Sequence, residues 1–340
     1  MFSFTKIIVA KYKIFNGLFY LLEIIAAVIA LPCFANAGFL VFDNPSDANF
    51  NQLLGINDGR VIVGNFGANL AADLTPSNGY ILVPLSHYSA ENFMINGSPA
   101  AQTKVTALND RQIPQITGYY TDGATGFTHG FLDIEGVQLT VDDPAGVAGI
   151  ATPVQKLLGI NNNQKAVGYW TDNGGNAHGF LVLIAPKTHV LTFVEVGPNY
   201  FPGAVATKVI GITDSHTICG YWTDASNNSH GFYAPIGGKA TSFDVPFNGK
   251  PAKSTEVYGC NDIGQIVGAF TDAVANVHGF YSHGFTFYSF DAPGSKQITA
   301  LGVKGTVING VNNWGALVGY FSDGSKVHGF VNYLLPNGPE

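Results

Sequence analysis

Charge is scarce in this chain. Asp, Glu, Lys and Arg make up 11% of its 340 residues and leave a formal net charge of −7. Arginine is scarcer still: Arg60 and Arg111 are the two in the sequence. A nucleic-acid backbone is gripped by clustered Lys and Arg, so nucleic acid is not an expected partner. The strings that mark common catalytic devices are also missing. There is no Gly-x-Ser-x-Gly nucleophile elbow, no His-Glu-x-x-His and no phosphate loop, so no catalytic residue is assigned. No dense acidic loop of the kind that wraps calcium is present, and no cofactor or metal is expected. Cysteine is limited to Cys33, Cys219 and Cys260. Beyond the first forty residues no apolar run is long enough to span a bilayer as a helix.

The N-terminus reads as a leader. Lys6, Lys11 and Lys13 precede an apolar stretch, and Ala35-Asn36-Ala37 supplies a small-x-small cleavage site. Residues 1–37 are therefore expected to be a signal peptide, with the mature chain beginning at Gly38. That places the protein outside the cytoplasm, in the periplasm, cell envelope or extracellular space. An exported protein can pair its cysteines. The reading adopted here, however, leaves Cys219 and Cys260 as buried free thiols, one in a second strand and one in the next unit's first strand.

What the chain has in plenty is glycine, 42 residues, and aromatics, 13%. Many of the glycines recur in order. Gly-Ile-Asn-type turns precede Gly64, Gly118, Gly168, Gly220, Gly268 and Gly319, spaced about 50 residues apart. Such a period marks a solenoid or a propeller. The copy around residues 257–293 shows the unit. Val257–Cys260 and Gln265–Phe270 read as two strands joined by the Asn261-Asp262-Ile263-Gly264 turn. Thr271–Asn276 is a loop, His278-Gly279-Phe280-Tyr281 a third strand, and Phe285–Phe290 a fourth, ended by Asp291-Ala292-Pro293-Gly294 because proline lacks the ladder N–H.

Four short strands and no helix per unit predict an all-β, six-bladed propeller of four-stranded blades. The expected limits are 53–99, 105–144, 156–200, 205–246, 257–293 and 306–335, within a single domain 38–335 followed by a tail, 336–340. The last unit lacks a fourth strand. Residues 38–45 form an orphan one, since Phe42-Asp43-Asn44-Pro45 repeats the form of Phe290-Asp291-Ala292-Pro293. Joining the two ends would remove the open sheet edge.

Repeated polar residues are read as scaffold. His129, His178, His230, His278 and His328 recur once per unit and are expected to make structural hydrogen bonds. Asp122, Asp172, Asp224, Asp272 and Asp323 are expected to cap loops. The aromatic pairs that end the second strands, such as Tyr169-Trp170 and Tyr221-Trp222, should put one ring in the core and leave the other at a loop surface. Residues outside the repeat rule are better pointers to function. The candidate binding residues are Arg60 and Arg111, on one face of the ring, with Trp170 and Trp222.

The Gly-Ile-Asn-x-x-Gly-x-x-Val-Gly-x-Tyr, Asp and His-Gly-Phe string resembles the HAF-type probable extracellular repeat family of bacterial exported proteins. The likeness spans nearly all of residues 38–335 and implies export and a repeat scaffold, without implying a chemistry. Unit one departs from it, with Asn78-Gly79-Tyr80 in place of His-Gly-Phe. Three functions fit these observations: a monomeric secreted binding module for a carbohydrate or protein ligand, a propeller-type hydrolase or lyase acting on a carbohydrate or lactone, and a structural envelope protein.

Overall fold

Each repeat forms one four-stranded antiparallel sheet, and the innermost strands of the six sheets pack on one another in a closed cycle. The structure, a computed structural model, describes residues 38–47, 49–67, 77–83, 87–197, 200–284, 286–298 and 302–333. The expected signal peptide, residues 1–37, and the expected tail, residues 336–340, lie outside the described residues. Blade one comprises Asn51–Ile56, Ile62–Gly67, Ser77–Val83 and His87–Ala90. Blade two is Gln102–Leu108, Ile116–Thr121, Thr128–Ile134 and Val137–Val141. Blade three is Gln155–Ile160, Lys165–Thr171, Ala177–Ile184 and Leu191–Val196. Blade four is Ala206–Ile212, Thr217–Thr223, Ser229–Pro235 and Thr241–Phe243. Blade five is Ser254–Cys260, Ile266–Thr271, Val277–His283 and Thr286–Phe290.

Blade six takes Thr306–Val311, Ala316–Ser322 and Val327–Tyr333 from the C-terminus and Gly38–Phe42 from the N-terminus. The closing register runs from Gly38 opposite Tyr333 to Phe42 opposite Gly329. Phe39 sits against Phe290, Phe321 and Phe330, with centroids 6.3, 6.0 and 5.3 Å away. The molecule is a six-bladed propeller whose last blade is closed by the N-terminal strand, as the missing fourth strand implies.

Two features of the repeat position the channel. First, the inner strand of every blade carries a bulge, for example between Leu157 and Gly159. The second-strand glycine lies against it: a Cβ at Gly168 would stand 2.0 Å from the Lys156 carbonyl oxygen. A bulge re-aims the side chain of its extra residue. Those residues, Leu54, Thr106, Leu158, Ile210, Tyr258 and Asn309, all line the channel. Second, the Phe of each His-Gly-Phe is fully buried between blades, as Phe131, Phe180, Phe232, Phe280 and Phe330 are, with Tyr80 in their place in blade one. Burying one such ring contributes about 2–3 kcal/mol.

The sequence boundaries differ from the strands in two places. Blade one pairs only as far as Ala90, and Met94–Ile95 with Ser98–Pro99 forms a separate hairpin. Pro246–Phe247 with Lys250–Pro251 does the same after blade four. In both hairpins the turn is Asn-Gly with positive φ at both residues, the backbone that a tight hairpin requires.

The cysteine expectation is corrected. Cys219 and Cys260 are joined in a disulfide across the seam between blades four and five, with Cα atoms 6.4 Å apart. Their placement in adjacent blades is as read from the repeat, and the packing of the two sheets brings them within bonding distance. Gly211 lies between them, and a Cβ there would stand 2.6 and 3.1 Å from the two sulfurs. The missing side chain leaves room for the bond.

Candidate functional site in the central channel

One mouth of the channel is built by the turns that follow the inner strands. The turn asparagine donates its side-chain N–H to the equivalent backbone carbonyl of the next blade. Asn57 bonds Asn109 at 3.1 Å, Asn109 bonds Asn161 at 3.2 Å, and Asn161 bonds Thr213 at 2.9 Å. Asn261 bonds Asn312 at 2.9 Å, and Asn312 returns to Asn57 at 3.0 Å. A second ring runs beside it. The N–H groups of Asp58, Asp110, Asn162, Ser215, Asp262 and Asn313 donate to the side-chain oxygens of Asp110, Asn162, Asp214, Asp262, Asn313 and Asp58. This ring accounts for the acidic turn residues, whose carboxylates hold neighbouring blades together. Burial pushes the Asp110 carboxyl up, and the nearby carboxylates of Asp58, Asp214 and Asp262 add to that, against the lowering effect of the Asp58 N–H. Among the described residues, no three His, Cys, Asp or Glu side chains converge to hold a metal ion.

The opposite end of the channel is chemically different. Lys104, Lys156 and Lys208 occupy one register position in blades two, three and four, opposite Tyr119, Tyr169 and Tyr221 of the second strands. Lysines and tyrosines alternate around this arc. Lys156 Nζ lies 4.7 Å from the Tyr119 centroid and 6.0 Å from that of Tyr169. Lys208 lies 5.2 Å from Tyr169 and 5.1 Å from Tyr221, and it donates to the Tyr221 hydroxyl at 3.0 Å. Tyr258 and Tyr320 continue the lining around a cavity of about 380 Å³. In blade five Glu256 takes the lysine position and accepts from the Tyr258 hydroxyl. Burial, with the Glu256 charge next in importance, pushes the Tyr221 and Tyr258 phenols well above their ordinary range. Both remain hydroxyl donors at any physiological pH.

The candidate residues read from the sequence fall elsewhere. Arg60 and Arg111 belong to the turns at the Asn–Asp mouth. Arg60 stands 5.6 Å over the Tyr333 ring, and exposed Arg111 donates to the Asn162 carbonyl at 2.8 Å. Trp170 stacks on His178 at 4.1 Å. Trp222 is stacked between Phe201 and His230 and donates to Ser242 at 2.8 Å. The two tryptophans therefore sit beside the repeat histidines, and it is the tyrosine preceding each, Tyr169 or Tyr221, that enters the channel. Trp170 and Trp222 pack against the cores between blades, as expected of one ring of each pair, but the other ring, Tyr169 or Tyr221, lines the channel and not a loop surface; the two rings diverge because alternate residues of a strand point to opposite faces. The three lysines went unnoticed in the sequence. Their signal was present, since 104, 156 and 208 share one place in consecutive repeats.

The repeat histidines and aspartates form clamps at the blade ends. His129, His230, His278 and His328 use Nδ1 against the fourth-strand aspartates Asp142, Asp244, Asp291 and Asp43, at 2.7–2.9 Å. His178 uses Nε2 against Asp172 at 3.1 Å, because in blade three the residue after Val196, which pairs with Gly179, is Gly197 and brings no outer carboxylate. Asp172, Asp224, Asp272 and Asp323 also accept backbone N–H groups of their own loops, and the Asp122 carboxylate accepts the Ala124 N–H.

His328 secures the closing strand through Asp43. The Asp43 hydrogen bond raises the His328 pKa, burial opposes it, and Asp323 on the other side also raises it. His129 is likewise raised, chiefly by Asp142. A raised histidine stabilises the fold fully below its unfolded pKa of about 6.5, and the contribution is lost as pH rises through the higher native value. Urea midpoints should therefore fall between about pH 6 and pH 8.5, and less steeply in His328→Gln. Equal slopes in the two proteins would show that this clamp does not couple to folding.

No family model and no curated protein matches the chain. Among solved structures, a mutant of the Aleuria aurantia lectin in complex with Fucα1-6GlcNAc is similar at a TM-score of 0.51 and 9% identity, covering 85% of this chain and 96% of the lectin. SapL1 lectin in complex with α-methyl fucoside gives 0.51 at 13% identity, covering 85% and 97%. Trypanosoma rangeli sialidase in complex with sialic acid gives 0.50 at 8% identity, covering 88% of this chain and 57% of the enzyme. At such identities the likeness is one of fold.

Proposed function

We propose that the protein is an exported binding module that seats a small ligand, of carbohydrate type, at the Lys–Tyr end of its central channel. The observation that carries this reading is the cavity of about 380 Å³ lined by Tyr119, Tyr169, Tyr221, Tyr258 and Tyr320 with three lysines between them. That volume lies in the range of about 300–1,000 Å³ usual for small-molecule sites. Tyrosine offers a flat apolar face for a sugar ring and a hydroxyl for its polar edge. Export is supported by the leader-like N-terminus and by the Cys219–Cys260 bond, which persists in oxidising compartments. The HAF-type repeat likeness points the same way, toward a bacterial envelope or extracellular protein.

A glycan array probed with the wild-type protein and with Tyr169→Ala tests the seat. Tyr169 is half-buried, so its truncation is tolerated by the fold. The expected result is selective glycan binding that drops at least tenfold in Tyr169→Ala and is unchanged in Trp314→Ala. Trp314 is exposed in a turn at the opposite mouth. Binding lost in Trp314→Ala and kept in Tyr169→Ala would move the site to the Asn–Asp mouth and overturn the reading.

A further inference from the structure

We propose that the Asn–Asp mouth, at the other end of the channel from the ligand seat, is a docking surface for a peptide segment of a partner protein. The segment places a basic side chain in the axial cavity and lays apolar neighbours on Trp314 and Ile263. The inference stands apart from the channel reading, since it concerns another face and another class of ligand.

Exposed apolar surface is the first support. Trp314 is 72% exposed and Ile263 62%. They hold the same place in the turns of blades six and five, two residues after Asn312 and Asn261. Those turns are bonded to each other. The Asp262 N–H donates to the Asn313 side chain at 3.0 Å, and the Asn313 amide donates back to Asp262 at 3.4 Å. The two side chains therefore start from adjacent points of one rim. The scaffold does not require them: the same place is Gly59, Arg111, Asn163 and Ser215 in blades one to four. Trp170 and Trp222, by contrast, are stacked on histidines. A tryptophan exposed without a structural need is the residue type that anchors protein interfaces.

Cavity size and charge supply the second support, and they choose the occupant. The mouth opens on an axial cavity of about 110 Å³ lined by Asp58, Asp110, Asp214 and Asp262 among the turn residues. That is well below the roughly 300 Å³ from which small-molecule sites usually start, and it suits one inserted side chain. Each of the four carboxylates accepts an N–H of the ring, but a hydrogen bond from a neutral amide leaves the charge in place. The ion pairs among the described residues are the His–Asp clamps at the blade ends. Two arginines share the mouth with the aspartates. Arg111 donates to the Asn162 carbonyl, and Arg60 lies over the Tyr333 ring. The turns thus set four carboxylates against two guanidiniums, and the charges of Asp58, Asp214 and Asp262 act together on Asp110. A cation at the axis relieves that repulsion, and charge complementarity of this kind fixes a partner's register.

The test is selection of a random seven-residue peptide library on the wild-type protein, followed by fluorescence titration of the best synthetic peptide. Selected peptides should carry a lysine or arginine beside an aromatic or aliphatic residue. Replacing the basic residue by norleucine should weaken binding at least tenfold, and affinity should fall as NaCl is raised from 50 to 500 mM. Trp314→Ser should weaken binding at least tenfold. Asp110→Asn combined with Asp262→Asn should do the same and flatten the salt dependence. These substitutions copy residues that the ring already uses at the same places, Ser215, Asn162 and Asn313, so the fold tolerates them. Val274→Ser is the control. Val274 is exposed in the loop after the second strand of blade five, away from this mouth, and its loss should leave binding unchanged.

A selection that yields no binder, or binders without a basic residue, would overturn the inference. Binding unmoved by Trp314→Ser, or by the paired Asp→Asn variant, would overturn it as well, by placing the peptide elsewhere. The norleucine and salt comparisons use the wild-type protein and need no variant to fold. Sugar binding at the Lys–Tyr end is untouched by any of these outcomes.

Discussion

Gly168→Ala is expected to abolish folding or to cost more than about 4 kcal/mol, far beyond the usual effect of one added methyl group. The new Cβ would stand 2.0 Å from the Lys156 carbonyl oxygen and 3.1 Å from the Leu157 Cα. Both obstacles are backbone, so no rotamer change relieves them. The same approach recurs at Gly64, Gly118, Gly220, Gly268 and Gly319, each 2.0–2.1 Å from a neighbouring carbonyl oxygen. Relief would require the inner-strand bulge to straighten, and straightening would turn Leu158 out of the channel. The check is a urea or thermal melt of Gly168→Ala beside Gly123→Ala. The latter's new Cβ would meet only the Ala101 methyl at 3.2 Å and should cost less than about 1 kcal/mol. Comparable melts for the two variants would show that the bulge is not held by glycine.

Deleting residues 38–45 should lower the melting temperature by on the order of 10 °C and promote aggregation. The deletion removes the strand paired from Gly38 to Phe42, the Phe39 ring packed on three phenylalanines, and the Asp43 carboxylate that holds His328. It leaves Val327–Tyr333 as an open sheet edge, ready to pair with another chain. Added peptide of sequence 38–45 should recover part of the loss. A truncated protein that melts within about 2 °C of wild type would mean that ring closure contributes little to stability.

The repeat made most of the fold legible. Six glycines at one spacing gave the number of blades, and the orphan Phe42-Asp43-Asn44-Pro45 gave the closure, because both are rules of sequence position. The first Asn-Gly hairpin, residues 94–99, was not separated from blade one, since it follows the outer strand without a break in composition, and the second, residues 246–251, was left between blades four and five without an assigned structure. The site was less legible. The uncommon residues Arg60, Arg111, Trp170 and Trp222 drew attention because they are rare. The channel lining is made of residues that look like scaffold: a tyrosine after four of the six repeat glycines, and a lysine two residues ahead of the bulge in three consecutive blades.

The disulfide shows the same division. The sequence alone placed Cys219 and Cys260 in adjacent blades, but their distance depended on how closely two sheets approach at Gly211. The sequence by itself determined the period, the blade number and the strand that closes the ring, because these follow from local pattern and from counting. Only the tertiary structure decided which side chains meet at the axis. Lys104, Lys156 and Lys208 are 52 residues apart along the chain, and it is the closed ring of blades, with a bulge in every inner strand, that brings them into one cavity.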